Sequence, residues 1–218
     1  MPTNRSAGQR WRASLDRAAQ GDYSDSPILP AFHDAVSRFG IPLDYFRQLI
    51  DGAAMDLSID RYHTFDQLYE YCYKVASVVG LVCIHIFGFE SPEAKRYAEY
   101  CGIAFQLTNI LRDLKEDASS GRVYIPEEDL RAFQYSASEL MSGVRDERFH
   151  RLMRFQVARA RGYYNAALPL VSIVIVPSSS MLIWQPVSSV SARITEPPLP
   201  ITSRILSTSM TMESILGA

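Results

Sequence analysis

Four polar side chains recur at helical spacing around residue 110. They are Gln106, Asn109, Asp113 and Asp117, spaced three, four and four residues apart, so a helix would carry them on one face. Carboxylate and amide oxygens in this pattern could hold a hard cation such as Mg²⁺, which keeps several coordination sites for water or phosphate. Taken alone, however, an Asp-xxx-Asp pattern is common and more often marks a solvated, charged helix face.

The position of the acidic residues favours a cation. Asp113, Glu116 and Asp117 lie near the expected C-terminus of their helix. Carboxylates are mildly unfavourable there because the C-terminus is the negative end of the helix dipole. A positively charged partner would explain why three of them occur together.

A second segment with candidate functional side chains is residues 66–80, which contains Tyr71 and Lys74. Its simplest interpretation is an amphipathic helix whose tyrosines pack in the core with their hydroxyls bonded. The small residues Ala76, Ser77 and Gly80 would allow close helix packing or leave room for a ligand.

Helical periodicity must position both segments, and it dominates the chain up to about residue 168. Long helices are expected over residues 64–87 and 91–118, with caps at Thr64 and Ser91. A last clear helix is expected over residues 147–168. No alternation typical of strands occurs in this region, so the predicted fold class is all-α.

Composition narrows the classes of function. The chain has 218 residues and a formal net charge of −2, so nothing indicates a nucleic-acid partner. Its three cysteines lack CxxC spacing and lie among apolar residues, which is typical of buried thiols in a reducing cytosol. The polar first 20 residues do not resemble a signal peptide. The uncharged run 75–89 is shorter than the about 20 apolar residues that a membrane span needs, so a buried core helix is expected.

The composition changes near Pro169. Residues 171–218 are rich in serine and proline and carry few charges, which predicts that they are poorly ordered or loosely packed rather than folded into further amphipathic helices. The predicted division is therefore a helical domain over residues 1–168 and a tail over 169–218.

Four segments together resemble the squalene/phytoene synthase family. The segment YCYKVASVVG (71–80) is similar to that family's YCxxVAGxVG, and NILRDLKED (109–117) resembles its second aspartate-rich motif. GRVYIPEEDL (121–130) resembles the stretch that follows, and MDLSIDRYHTFDQLYEYC (55–72) resembles the lead-in to the tyrosine. The match covers roughly residues 8–168, in the order found in the family.

The resemblance implies a helical bundle of the isoprenoid-synthase type around a central cavity, with Mg²⁺ as cofactor. Asn109, Asp113 and Asp117 match metal-binding positions of the second motif. Tyr71 matches a tyrosine of the first half-reaction. In addition, Gln106, Arg112 and Lys74 match or occupy positions that could meet diphosphate oxygens, although Arg112 and Lys74 could equally form structural ion pairs.

The implied function is the head-to-head condensation of two prenyl diphosphates, farnesyl or geranylgeranyl, with loss of diphosphate. Two alternatives remain: an inactive fragment of such an enzyme, and a terpene cyclase of the same helical class. A cytoplasmic location is expected, with peripheral membrane contact left open. The sequence indicates neither the prenyl chain length nor the oligomeric state.

Two departures from the family pattern bear on activity. The first aspartate-rich motif lies, in the family, upstream of a segment like RWRASLD (10–16), so truncation at the N-terminus is expected. Asp56 and Asp60 form another Asp-xxx-Asp but are not taken as its replacement, although Asp56 could line the site. The tail is unlike the family's charged C-terminal helices, as a shifted reading frame would make it. Weak substrate binding and little or no turnover are therefore expected.

Overall fold

The computed structural model describes residues 4–174, which are mostly helical. Within these residues, extended pairing is limited to two isolated bridges, Arg61 with Val123 and Phe89 with Val174. The predicted all-α fold class is confirmed. The α-helices of the described region are α1 (Asn4–Ala18), α2 (Leu29–Arg38), α3 (Leu43–Asp56), α4 (Phe65–Cys72), α5 (Val78–Phe87), α6 (Ala94–Arg112), α7 (Leu114–Ser119), α8 (Glu127–Ala132), α9 (Ala137–Met141), α10 (Glu147–Ala167) and α11 (Leu170–Ile173).

The helix expected after Thr64 is present, but its winding changes in the middle. The Thr64 hydroxyl accepts a hydrogen bond from the Gln67 backbone N–H at 3.3 Å and caps the helix, as its sequence spacing predicts. A π-helical turn, Tyr73–Ser77, joins α4 to α5. The helix ends at Gly88, whose φ of 86° suits a residue without a Cβ.

The apolar run 75–89 was expected to form a buried core helix, but only one face of the helix is buried. In α5, Val78, Leu81 and Ile84 are buried, whereas Ile86 and Phe87 are exposed. The continuous helix Phe65–Phe87 is long and apolar enough to cross a membrane, but the core helix of a water-soluble protein meets the same criteria.

The second long helix differs from its prediction at both ends. It begins at Ala94 rather than at Ser91, because residues 91–93 form a turn in which the Ser91 hydroxyl accepts from the Glu93 N–H at 3.2 Å. It also breaks at Asp113, where φ is −94° and ψ is 6°, so that α6 ends and α7 begins. Aspartate favours such positions because its side chain competes with helical hydrogen bonding. The Asp117 N–H still donates to the Asp113 carbonyl at 2.9 Å, so the four-residue spacing persists across the break.

The core is built around α6, which packs most extensively against α10 and also contacts the π-helical turn and α5. Ile103 and Ala104 on α6 and Leu152 and Ala160 on α10 are fully buried. The Ser77 hydroxyl donates to the Glu99 carbonyl at 2.8 Å and links the π-helical turn to α6. These contacts place the segment around Tyr71 beside α6, whose C-terminal part begins the polar stripe formed by Gln106, Asn109, Asp113 and Asp117.

The predicted tail begins just after α10 ends. Its first residues form the short helix α11, and the Ile173 carbonyl accepts from the Glu90 N–H at 3.4 Å. Residues 175–218 lie outside the described part of the chain, so the boundary at residue 169 and the character of the tail stay predictions.

Candidate active site

Asp56, the last residue of α3, holds two tyrosine hydroxyls. Tyr71 on α4 and Tyr124 in the loop before α8 each donate a hydrogen bond to Asp56 Oδ1 at 2.8 Å. The loop reaches this position because the Val123 N–H donates to the Asp60 carbonyl at 3.2 Å. Three segments distant in sequence therefore converge on one carboxylate oxygen.

A third tyrosine completes a cluster of aromatic rings around this carboxylate. The ring centroids of Tyr71 and Tyr124 are 5.4 Å apart and stacked, and Tyr62 lies 5.6 Å from the first and 5.9 Å from the second. Tyr62 is almost completely buried, and its hydroxyl has no hydrogen-bond partner among the described residues. The buried face of the site is thus aromatic, with few polar groups besides these hydroxyls.

The three tyrosine hydroxyls of this cluster have raised pKa values. Burial, followed by the hydrogen bond to Asp56, raises the pKa of Tyr71, and the same two causes raise the pKa of Tyr124. Burial also raises the pKa of Tyr62. All three hydroxyls therefore remain protonated at neutral pH, and Tyr71 is not a tyrosinate base.

The side chains of the polar stripe are partly exposed to solvent. Gln106, Asn109, Asp113 and Asp117 are all half-buried, whereas their apolar neighbours Ile103, Ile110 and Leu114 are buried. This pattern is what the wall of an open site requires, and it differs from a fully solvated charged face. Tyr71 belongs to the same core cluster as Ile103, Ile110 and Leu114.

Asp117 lies in an acidic environment. Burial and then the charge of Asp113 raise the pKa of Asp117, with a smaller contribution from Asp56, while Arg122 opposes them. The Arg122 backbone N–H donates to the Asp117 carbonyl at 2.9 Å, which joins the end of α7 to the loop of Tyr124. Asp117 therefore connects the stripe electrostatically with the tyrosine cluster.

Each basic residue singled out in the sequence is in an ion pair. Arg112 binds Asp113 through two hydrogen bonds of 2.7 and 2.6 Å, which lower the pKa of Asp113. Lys74 is 2.6 Å from Glu70 one turn earlier on the helix. The side chain of Arg112 is 60% exposed, so this pair can open or share its cation with a ligand at small cost.

Two surface clefts of the described region lie elsewhere. A cleft of about 400 Å³ is lined by α1 residues and Asp25, and one of about 390 Å³ by residues of α7 and α9 and the loop that follows α9. Neither is lined by Tyr71 or by the polar stripe. That Tyr71 and the stripe line one cavity therefore stays a prediction.

Comparison with known proteins decides the family. The family model described as squalene/phytoene synthase matches residues 2–194. The chain belongs to the squalene/phytoene synthase family. It is 41% identical over 177 residues to the 15-cis-phytoene synthase of Synechococcus elongatus, covering 76% of this chain and 57% of that protein. It is 40% identical to the phytoene synthase of Mycobacterium tuberculosis, covering 73% of this chain and 53% of that protein.

Solved structures of this family have the same fold. The squalene synthase HpnC of Alicyclobacillus acidocaldarius superposes with a TM-score of 0.80 at 22% identity, covering 100% of this chain and 73% of that one. A dehydrosqualene synthase in complex with ligand gives a TM-score of 0.73 at 22% identity, covering 97% and 78%. The chain spans about half the length of the curated relatives that it matches.

In this squalene/phytoene synthase chain, the side-chain oxygens of the polar stripe fit as ligands for one side of a Mg²⁺ ion. The stripe supplies hard oxygen donors, and burial followed by the charge of Asp113 raises the pKa of Asp117, which a bound cation would lower again. Among the described residues, however, no three acidic, imidazole or thiol side chains are close enough to hold an ion by themselves. A cation here would need water or phosphate oxygens to complete its coordination, as Mg²⁺ commonly does.

Sequence reasoning did not identify Tyr124 or Arg122, although both lie in the family-like segment 121–130. Asp56 was expected only to line the site. No spacing rule could connect these residues with Tyr71, because the hydrogen bond from Tyr124 to Asp56 spans 68 positions. The cysteines are free as expected, but only Cys72 is fully buried.

Proposed function

We propose that this chain is a transferase that condenses two prenyl diphosphates head to head with loss of diphosphate. The observation that supports it most is the tyrosine cluster on Asp56, whose carboxylate interacts electrostatically with the half-buried Asp117 of the polar stripe. The relatives named phytoene synthase favour geranylgeranyl diphosphate over farnesyl diphosphate, because phytoene is a C40 hydrocarbon. A cytoplasmic location with peripheral membrane contact is part of the proposal.

The residues of the site would have three different roles in this reaction. Asn109, Asp113 and Asp117 would hold Mg²⁺, which when bound would neutralise the charge of the leaving diphosphate. Gln106, together with the cations Arg112 and Lys74, would contact diphosphate oxygens. The apolar neighbours of the stripe would keep water from the allylic cation that ionisation produces.

Tyr71 enters this chemistry as a protonated phenol. Its raised pKa excludes a standing tyrosinate, so it would orient a diphosphate oxygen or pass a proton on, rather than remove one with a negative charge of its own. The rings of Tyr62, Tyr71 and Tyr124 could also stabilise positive charge in the prenyl chain.

Incubation with labelled geranylgeranyl or farnesyl diphosphate and Mg²⁺ tests the proposal. The result that supports the proposal is a C40 or C30 product, at however low a turnover, that is lost in Asp113→Ala and retained in Asp34→Ala, which removes an exposed carboxylate on α2. A cyclic product from a single prenyl diphosphate would favour the terpene cyclase alternative. Folded chain without any product would favour the alternative of an inactive fragment.

A further inference from the structure

Asp56 is the common acceptor in the tyrosine cluster, and the mechanism outlined so far gives it no role. It is half-buried at the end of α3, and its Oδ1 accepts a hydrogen bond of 2.8 Å from each of the two phenol hydroxyls. An ionised carboxylate only accepts hydrogen bonds, so both hydroxyls must donate to it. A phenol oxygen also carries two lone pairs, so Tyr71 can accept a proton while its own O–H is hydrogen-bonded to Asp56.

The charged and titratable groups around Asp56 lie on three elements besides its own. Tyr71 belongs to α4, Arg122 and Tyr124 to the loop before α8, and Asp117 to α7. Asp60 follows four residues later and also interacts with Arg122. The hydrogen bond to Tyr124 raises the pKa of Arg122, which stays a cation beside this carboxylate. A proton arriving at Tyr71 thus meets a hydrogen-bonded path that ends on Asp56.

We propose that Asp56 is the positioning residue through which Tyr71 acts, holding the phenol in place and taking its proton when Tyr71 accepts one from the prenyl intermediate. This inference rests on the proposed function. In the step, a C–H bond of the cationic intermediate breaks and its proton bonds to Tyr71 Oη. The original Tyr71 O–H breaks and that proton bonds to Asp56 Oδ1. The C–H electron pair forms the new carbon–carbon bond, and nothing is oxidised or reduced overall.

The first test follows the Tyr71 phenol directly and needs no turnover. The full chain is labelled with ¹³Cζ-tyrosine, and Tyr71→Phe assigns the resonance. Asp56→Asn keeps the side-chain volume and removes the charge, so it should shift the Tyr71 resonance and let Tyr71 ionise at lower pH than in the unsubstituted chain. Asp60→Asn makes the same change at an exposed carboxylate and should leave the resonance in place.

The second test follows proton removal from the substrate. Asp56→Asn should lower turnover of the prenyl diphosphate by about 10²-fold or more and enlarge the isotope effect of a C1-deuterated substrate. Asp56→Glu should recover part of the rate, and Asp60→Asn should resemble the unsubstituted chain. Circular dichroism checks that each variant is folded.

The outcomes separate this inference from the function on which it rests. A Tyr71 resonance unchanged in Asp56→Asn overturns the inference, as does turnover in Asp56→Asn equal to that in Asp60→Asn. If the unsubstituted chain forms no product, the proposed function fails. The Tyr71 resonance then still decides whether Asp56 holds the phenol proton.

Discussion

Gly102 on α6 lies so close to Ser77 in the π-helical turn that a Cβ at residue 102 would be 2.4 Å from the Ser77 Cα. The same Cβ would be 2.5 Å from the Ser77 backbone nitrogen, so the obstacle is backbone and not a side chain that could rotate away. This approach brings the helix of Tyr71 against the helix of the polar stripe. Glycine is required here for packing.

Gly102→Ala should therefore destabilise the fold. We expect a loss of about 3 kcal/mol in the free energy of unfolding, at the upper end of overpacking effects, because backbone has to move. Urea denaturation followed by far-UV circular dichroism measures it. Gly162→Ala is the control, since Gly162 on α10 has nothing within 4 Å of its Cβ position. It should be neutral or stabilising by up to about 1 kcal/mol. Equal stability of the two variants would contradict the close contact.

A feature could be predicted from the sequence when the residues that determine it lie close together in the chain. Caps and helical periodicity are local, so Thr64 and the stripe from Gln106 to Asp117 could be predicted. The break at Asp113 could not, because it depends on a balance of a few hydrogen bonds. The cluster of Asp56 with Tyr124 is set by tertiary packing across 68 positions, which no periodicity encodes.

The Arg159–Asp129 pair should be a major stabilising contact between α10 and α8. Arg159 donates to both oxygens of buried Asp129 at 2.5 and 3.0 Å, and its guanidinium lies 4.1 Å from the centroid of the Phe65 ring. Arg159→Ala would leave a buried carboxylate without its cation. We expect a loss of about 3–5 kcal/mol in the free energy of unfolding, measured by urea denaturation.

The control for this pair is on the same helix. Arg154 pairs with Glu147 in solvent, with side chains 56% and 72% exposed. Arg154→Ala should change stability by no more than about 0.5 kcal/mol. If both arginine variants lose the same stability, burial is not what makes the Asp129 pair important.

Thr64 should contribute a measurable cap to the helix of Tyr71. Its hydroxyl satisfies the Gln67 N–H, so Thr64→Ala leaves that donor to water. The expected cost is about 1 kcal/mol of unfolding free energy, seen as a lower melting temperature. Thr64→Ser keeps the hydroxyl and should stay close to the original stability. An unchanged melting temperature in Thr64→Ala would show that the cap is dispensable.

Asp117 should make the fold less stable at neutral pH, and Mg²⁺ should relieve this. Burial and the charge of Asp113 raise the pKa of Asp117 above its ordinary value of 3.8. A carboxyl whose pKa is higher in the folded than in the unfolded chain binds more protons when folded, so stability falls as the pH rises through that window. The penalty is then complete at pH 7 and disappears towards pH 4.

Asp117→Asn should accordingly unfold at higher temperature than the unsubstituted chain at pH 7, and this advantage should shrink as the pH is lowered towards 4. Adding Mg²⁺ at pH 7 should stabilise the unsubstituted chain more than Asp117→Asn, because a cation bound only by the folded state stabilises it. Asp34→Asn, at an exposed carboxylate, should show neither effect. Thermal unfolding with and without Mg²⁺ measures all three chains. An equal response to Mg²⁺ in the unsubstituted chain and in Asp117→Asn would remove Asp117 from the proposed metal ligands, whatever the enzyme assay shows.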